Sequence, residues 1–144
     1  MPLLSDQDRQ IVSGRLAAIT QPVTLLFFTQ TIGAPETVVV AKQILDEVVG
    51  LNEHITLEEV NLILDKDRAA SYGIDDVPAI VMLRREEDTG IRFFGAPSGY
   101  EFMSFIEALI LTGTEDSGLS AESRALIAAH ANEPLNMLVF TTPT

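Results

Sequence analysis

The order of apolar and polar positions divides the chain into alternating helical and extended stretches. Ile11, Val12, Leu16 and Ile19 recur at helical spacing with Arg15 among them, and this periodicity predicts a helix to about Ile19. Ser5 is its N-cap, and Asp6 and Asp8 sit in the first turn, where the helix dipole favours acids. Pro22 restarts the chain, and Val23 to Phe28 is a β-prone run, apolar on both faces as a central strand requires. Thr37 to Val49 places Val38, Ala41, Leu45 and Val48 on one helical face, and Gly50 ends it. His54 to Leu62 alternates Ile55, Leu57 and Val60 with the acids Glu58 and Glu59, the pattern of a second strand.

Asp65 caps a short helix, KDRAASYG, that stops at Gly73. VPAIVMLRRE reads as a third strand, the acidic EEDTG as a hairpin turn and IRFFG as a fourth strand. Ser98 is the candidate cap of a helix from Tyr100 to about Leu111. Its inward face is Phe102, Phe105, Ile106, Leu109 and Ile110, and Gly113 is expected to terminate it. The order is α-β-α-β-α-β-β-α. Strands joined through a helical crossover are expected to be parallel, and those joined by a tight turn antiparallel. The expected fold class is therefore α/β, a mixed four-stranded sheet flanked by helices.

The tail repeats the head. LSAESRALIAA from Leu119 echoes LSDQDRQIVSG from Leu4, and PLNMLVFTTPT from Pro134 echoes PVTLLFFTQTI from Pro22. Such a two-copy repeat divides the chain into one unit, residues 1–113, and the first helix and strand of a second, residues 114–144. A strand from Leu135 to Thr141 has no companions of its own. It must borrow a sheet edge, or the protein continues beyond Thr144.

Composition narrows the chemistry. The chain has 144 residues, 47% of them hydrophobic, which suffices for one cored domain and not for two complete ones. Acids outnumber Lys plus Arg by 21 to 9, a formal charge of −12. That balance repels phosphate backbones and argues against a nucleic-acid partner. There is no cysteine, so the chain itself offers no disulfide, thiolate metal site or dithiol centre. No long uncharged apolar run suggests a membrane span, and MPLLSDQDRQ has acids where a signal peptide is basic. A cytoplasmic protein is expected.

Several runs bring a family into view: YGIDDVPAIVML, GIRFFGAPSGYEFMSFIEAL with its G-x-P-x-G-x-E-F pattern, the opening LSDQDRQ and the closing LVFTTPT. In these the chain resembles the N-terminal portion of the protein disulfide oxidoreductases, or glutaredoxin-like proteins, built of tandem thioredoxin-fold units. The flavoprotein subunit of alkyl hydroperoxide reductase carries a related run in its N-terminal domain. The resemblance implies a thioredoxin-like fold and a Cys-x-x-Cys at the start of the helix after the first strand. Gly33, Ala34, Pro35 and Glu36 stand there instead, so the first unit is expected to be redox-inactive, a degenerate active-site turn. The closing VFTTPT is similar to the strand that leads into the second unit's Cys-Pro-x-Cys. The resemblance thus places the redox dithiol just after Thr144, in a protein of which this chain is the non-catalytic part.

Val77-Pro78 matches the pair that precedes the third strand in this family, where the proline is cis and the backbone before it pairs with bound peptide. Here the pair is either a substrate groove that keeps its main-chain hydrogen bonds or a turn required only by the fold. Glu36 is read as an acid offsetting the helix dipole rather than a general acid or base, with Pro35 suited to a position that needs no N–H.

Other signals are weaker. His54 and His130 lack ligand-spaced companions, and the acid pairs Asp65/Asp67, Asp75/Asp76 and Glu86–Asp88 lack the oxygen count of a Ca²⁺ loop, so neither a metal nor a cofactor is expected. Phe93, Phe94, Phe102 and Phe105 are expected in the core. Two functional classes remain open. One is the scaffold part of a thiol–disulfide oxidoreductase, meeting protein or peptide substrate through the groove. The other is a stand-alone binding or dimerisation module, forming a homodimer by strand-edge pairing.

Overall fold

The computed structural model describes residues 1–142. The elements are α1 (Asp6–Leu16), β1 (Val23–Thr29), α2 (Glu36–Val49), β2 (Ile55–Asn61), α3 (Lys66–Ser71), β3 (Ala79–Arg84), β4 (Glu87–Phe94), α4 (Glu101–Thr114) and α5 (Ala121–Ala129). The sheet order is β2-β1-β3-β4, with β1 parallel to β2 and β3 antiparallel to both β1 and β4. The α2 crossover produces the expected parallel pair. The α3 connection does not: β3 runs opposite to β2, because β3 crosses to the far side of β1 and pairs there.

β1 is the central strand, and its side chains alternate between two helical layers. On one face Phe27 lies beside Glu59, whose carboxylate meets Lys42 of α2 at 3.1 Å. On that face also, Met82 pairs with Leu25 and lies under Thr112 of α4, and Phe93 meets Phe105 edge to face at 5.5 Å. On the other face Phe28 packs on Tyr72, just after α3, with ring centroids 6.1 Å apart. Leu25, Leu26, Phe28, Ile80, Met82, Phe105 and Leu109 are fully enclosed. Phe94 departs from the expected aromatic core. It ends β4, an edge strand, and is 54% exposed.

Two turn assignments move. The β3–β4 hairpin turns at Arg85 and Glu86, both at positive φ (47° and 68°), a geometry that suits the twist of paired strands. Of the segment EEDTG only Glu86 lies in the turn; Glu87 to Gly90 open β4 and hold a bulge, where Thr89 Oγ1 donates to the Met82 carbonyl at 2.7 Å and Gly90 takes φ 81°. The Arg-Glu turn is held by tertiary partners: Arg85 N–H donates to the Pro22 carbonyl at 3.0 Å, and Glu86 accepts from Thr24 Oγ1 at 2.8 Å. Gly113 does not end α4. It lies buried inside the helix, and Glu115 closes it in the left-handed region (φ 59°). The Ser98 side chain makes no cap; its carbonyl accepts from Glu101 N–H at 3.3 Å.

The echoed helices share one cap. Ser5 accepts from Asp8 N–H at 3.1 Å, and Ser120 accepts from Ser123 N–H at 3.1 Å. α1 buries Val12 and Leu16, whereas α5 buries nothing. Leu135 to Thr141 takes no strand pairing among the described residues, and Leu135, Met137, Leu138, Val139 and Phe140 stand exposed. The physical reason is the one anticipated: an isolated strand cannot satisfy its backbone without a neighbour.

Candidate functional site

The candidate site sits at one end of the sheet, where β1, β2 and β4 finish and β3 begins. Ala79 pairs with Phe28 on one side and with Phe94 on the other, which brings Val77-Pro78 alongside the turn that leaves β1. The peptide between Val77 and Pro78 is cis. The Pro78 carbonyl accepts from Gly95 N–H at 2.9 Å, so it extends the β3–β4 pairing beyond Ala79 and Phe94. Val77 is buried and its N–H donates to Asp76 Oδ1 at 2.8 Å. The main-chain donor of the expected groove is thus already engaged within the chain.

The turn after β1 is held by Gln30, whose side-chain amide donates to the Gly33 carbonyl at 3.2 Å. Gly33 has φ 70°, a backbone region costly to side chains bearing a Cβ. Ala34 packs against the core, and Pro35 is the N-cap of α2 without a side-chain cap bond. Glu36 is the first helical residue and is exposed, as an acid opposing the dipole should be. The sequence reads the helix from Thr37; the structure starts it one residue earlier, at Glu36, with Pro35 as its N-cap. Gly33 is a loop residue two positions ahead of the cap.

These four residues hold no nucleophile. Gly33 and Ala34 bear no reactive atom, Pro35 has no N–H, and Glu36 is exposed. Among the described residues, His, Asp and Glu nowhere gather in a group able to hold a metal ion. His54 instead hydrogen-bonds its own loop, its N–H donating to Asn52 Oδ1 at 2.8 Å. Two concavities among the described residues are not lined by Gly33 to Glu36 or by Val77-Pro78. One, of about 580 Å³, is open and runs over α2 past Val38, Lys42 and Glu59. The other, of about 290 Å³, lies between Leu3, Leu4, Val40, Ile44 and Phe102.

No protein-family model matches the chain, and no curated protein matches it. Solved structures do. The NTD_N/C domain of alkylhydroperoxide reductase AhpF from Enterococcus faecalis superposes with a TM-score of 0.80 at 33% identity, covering 88% of this chain and 60% of that one. The chain shares a thioredoxin-like fold with this oxidoreductase domain. It carries that fold without a Cys-x-x-Cys. A protein disulfide oxidoreductase from Aeropyrum pernix shares the fold with a TM-score of 0.74 at 20% identity, over 85% of this chain and 53% of that one. A thioredoxin from Halobacterium salinarum shares it at 0.51 and 16%, over 81% and 91%. This thioredoxin-fold chain therefore spans little more than half the length of the first two.

What sequence reading missed lies around the rim of the same sheet end. Ile32 follows β1, Ile63 and Leu64 follow β2, Phe94 ends β4, and Tyr100 caps α4; all are exposed. Apart from Met1, the three most exposed large apolar side chains of residues 1–114 are Ile32 (83%), Leu64 (85%) and Tyr100 (86%). They are separated by 32 and 36 positions along the chain, so no local pattern links them. Only the strand order gathers them.

Proposed function

We propose that this chain is the non-catalytic, N-terminal thioredoxin-fold part of a longer glutaredoxin-like protein disulfide oxidoreductase, with the redox dithiol in a second unit just after Thr144. The observation that carries this reading is the pairing of two facts. The chain matches the AhpF domain at 33% identity over 88% of its length, and it has no cysteine, Gly33 to Glu36 standing where the family resemblance expects the dithiol. The repeated Ser caps of α1 and α5 support a second unit that begins like the first. In this role the first unit supplies scaffold and a docking surface at the Val77-Pro78 end of the sheet. A place in cytoplasmic thiol–disulfide exchange is part of this proposal; among the described residues no helix is long and apolar enough to cross a membrane.

The test is a thiol titration and an insulin-reduction assay on the complete gene product and on the 144-residue chain. The reading expects two reactive thiols and turnover in the first and neither in the second. A complete product without thiols overturns it. The exposed run Leu135–Phe140 favours a second reading, a homodimer formed by strand-edge pairing. A sedimentation series on the 144-residue chain decides it, since a concentration-dependent dimer that Leu138→Asp abolishes is expected only there.

A further inference from the structure

We infer that the cleft between α2, the start of α4 and the segment Met1–Leu4 is a binding site for a small, uncharged molecule with an apolar body and one hydroxyl, of the phenol or short-chain alcohol class. This goes beyond the role proposed above and does not rest on it, since none of Gly33 to Glu36, Val77 or Pro78 lines the cleft. Three observations carry it.

The first is the size and lining of the cleft. Its volume is about 290 Å³, and Leu3, Leu4, Val40, Ile44 and Phe102 supply its apolar wall. A cavity of roughly 150 Å³ lined by such side chains already admits benzene. A single ring or a chain of about six carbons is therefore the size that fits.

The second is the polar content, which is small and almost all engaged. Glu47 is the one charged residue in the lining. Its carboxylate accepts from Leu3 N–H and from Leu4 N–H at 3.0 Å, and lies 3.4 Å from Arg9 Nη1. A cationic ligand would have to take those bonds apart, and an anionic one would meet the carboxylate. What remains is Ser98, which lines the cleft and whose hydroxyl has no hydrogen-bond partner among the described residues. An apolar pocket with one free polar group orients a ligand that carries one polar group of its own.

The third is a wall that can move. Met1–Leu4 is tethered to α2 by hydrogen bonds rather than by burial. Gln43 Nε2 donates to the Met1 carbonyl, Glu47 holds Leu3 and Leu4, and Leu3 is still 51% exposed. Val40, Ile44 and Phe102 are fixed on helices. A segment with few apolar contacts opens at low cost, so a ligand enters past it without disturbing the core.

The test is an NMR amide-shift titration of the isotope-labelled 144-residue chain with phenol, toluene and benzoate. Phenol should saturate with a Kd of about 1 mM or tighter and move the amides of Leu3, Leu4, Val40, Gly99 and Phe102. Ser98→Ala should weaken phenol about fivefold and leave toluene unchanged, since only phenol uses the hydroxyl. Val40→Phe, at a position 39% exposed, fills the cleft from its rim and should weaken both ligands about tenfold or more. Benzoate should not bind.

Shifts dominated by the exposed run Leu135–Phe140 would reduce the effect to adsorption on bare apolar surface and overturn the site. Phenol shifts that stay linear to about 10 mM would do the same, as would an affinity that Val40→Phe leaves unaltered. Benzoate binding as tightly as phenol would overturn the uncharged class. Equal losses of phenol and toluene on Ser98→Ala would overturn the hydroxyl contact. None of these outcomes bears on the dithiol, which the thiol titration decides separately.

Discussion

Gly113 in α4 faces Ile19 so closely that a Cβ at 113 would lie 2.5 Å from Ile19 Cγ2. The glycine is required by a close approach, not by its backbone conformation, since it lies within the helix. Its carbonyl accepts from Thr20 N–H at 3.2 Å and Gln21 N–H at 3.1 Å, tying the end of α4 to the segment that enters β1. Gly113→Ala should destabilise the chain by about 1–3 kcal/mol through overpacking. In a double-mutant cycle Ile19→Ala should recover part of that loss. Independent, additive effects in chemical denaturation would mean the contact does not exist.

Arg84 closes the same corner from the sheet. Its Nε donates to the Thr112 carbonyl at 2.8 Å and Nη2 to the Leu111 carbonyl at 3.2 Å, satisfying acceptors in the last turn of α4. A cation there also opposes the negative end of the helix dipole. Arg84→Met keeps most of the apolar stem and removes these bonds, and should cost about 1–2 kcal/mol. An unchanged denaturation midpoint would assign those carbonyls to water instead.

Glu47 of α2 holds the N-terminal segment across the helix. Its carboxylate accepts from the N–H groups of Leu3 and Leu4, the latter at 3.0 Å, and lies 3.4 Å from Arg9 Nη1. The Leu3 N–H, then that of Leu4 and the charge of Arg9, outweigh burial and hold its carboxyl below the ordinary range. Arg68 does the same for Glu58, and Arg92 for Asp88, both at more exposed positions where solvent weakens the effect. A carboxyl depressed in the folded state contributes stability above its unfolded value, about 4, and loses it as pH falls through the folded one. Thermal midpoints should therefore be level from about pH 7 to 5 and fall below about 4. Glu47→Gln should lower the plateau and shallow the acid fall; an acid limb identical to wild type would remove Glu47 from the account.

The helix start at Pro35 makes a separate prediction about latent chemistry. Glu36→Cys places a thiol at the first residue of α2, where the dipole stabilises a thiolate, so its pKa should fall below the free value of about 8.5. Gly33→Cys lies outside the helix and must adopt φ 70°, so it should lower stability by about 1 kcal/mol without an equal gain in acidity. Alkylation rates against pH check both. A thiol at 36 titrating at the free value would misplace the helix start.

The sequence by itself determined the element order, the central strand and the absence of a dithiol, because these rest on short-range quantities. Periodicity along Val23–Phe28 and Thr37–Val49 records which faces are buried, and Ser5 and Ser120 bond donors three residues away. It also singled out Val77-Pro78 and Gly33–Glu36 as candidates, through runs that resemble a known family.

Tertiary structure decided the rest. β3 crossed to the outer side of β1, and the turn fell on Arg85-Glu86 because Pro22 and Thr24 supply its partners. Residue 113 is a glycine inside α4 because Ile19 leaves no room for a side chain there. Strand order alone gathered Ile32, Leu64 and Tyr100 around one sheet end. Each of these depends on groups far apart in the chain, whose energy exists only after the fold has brought them together.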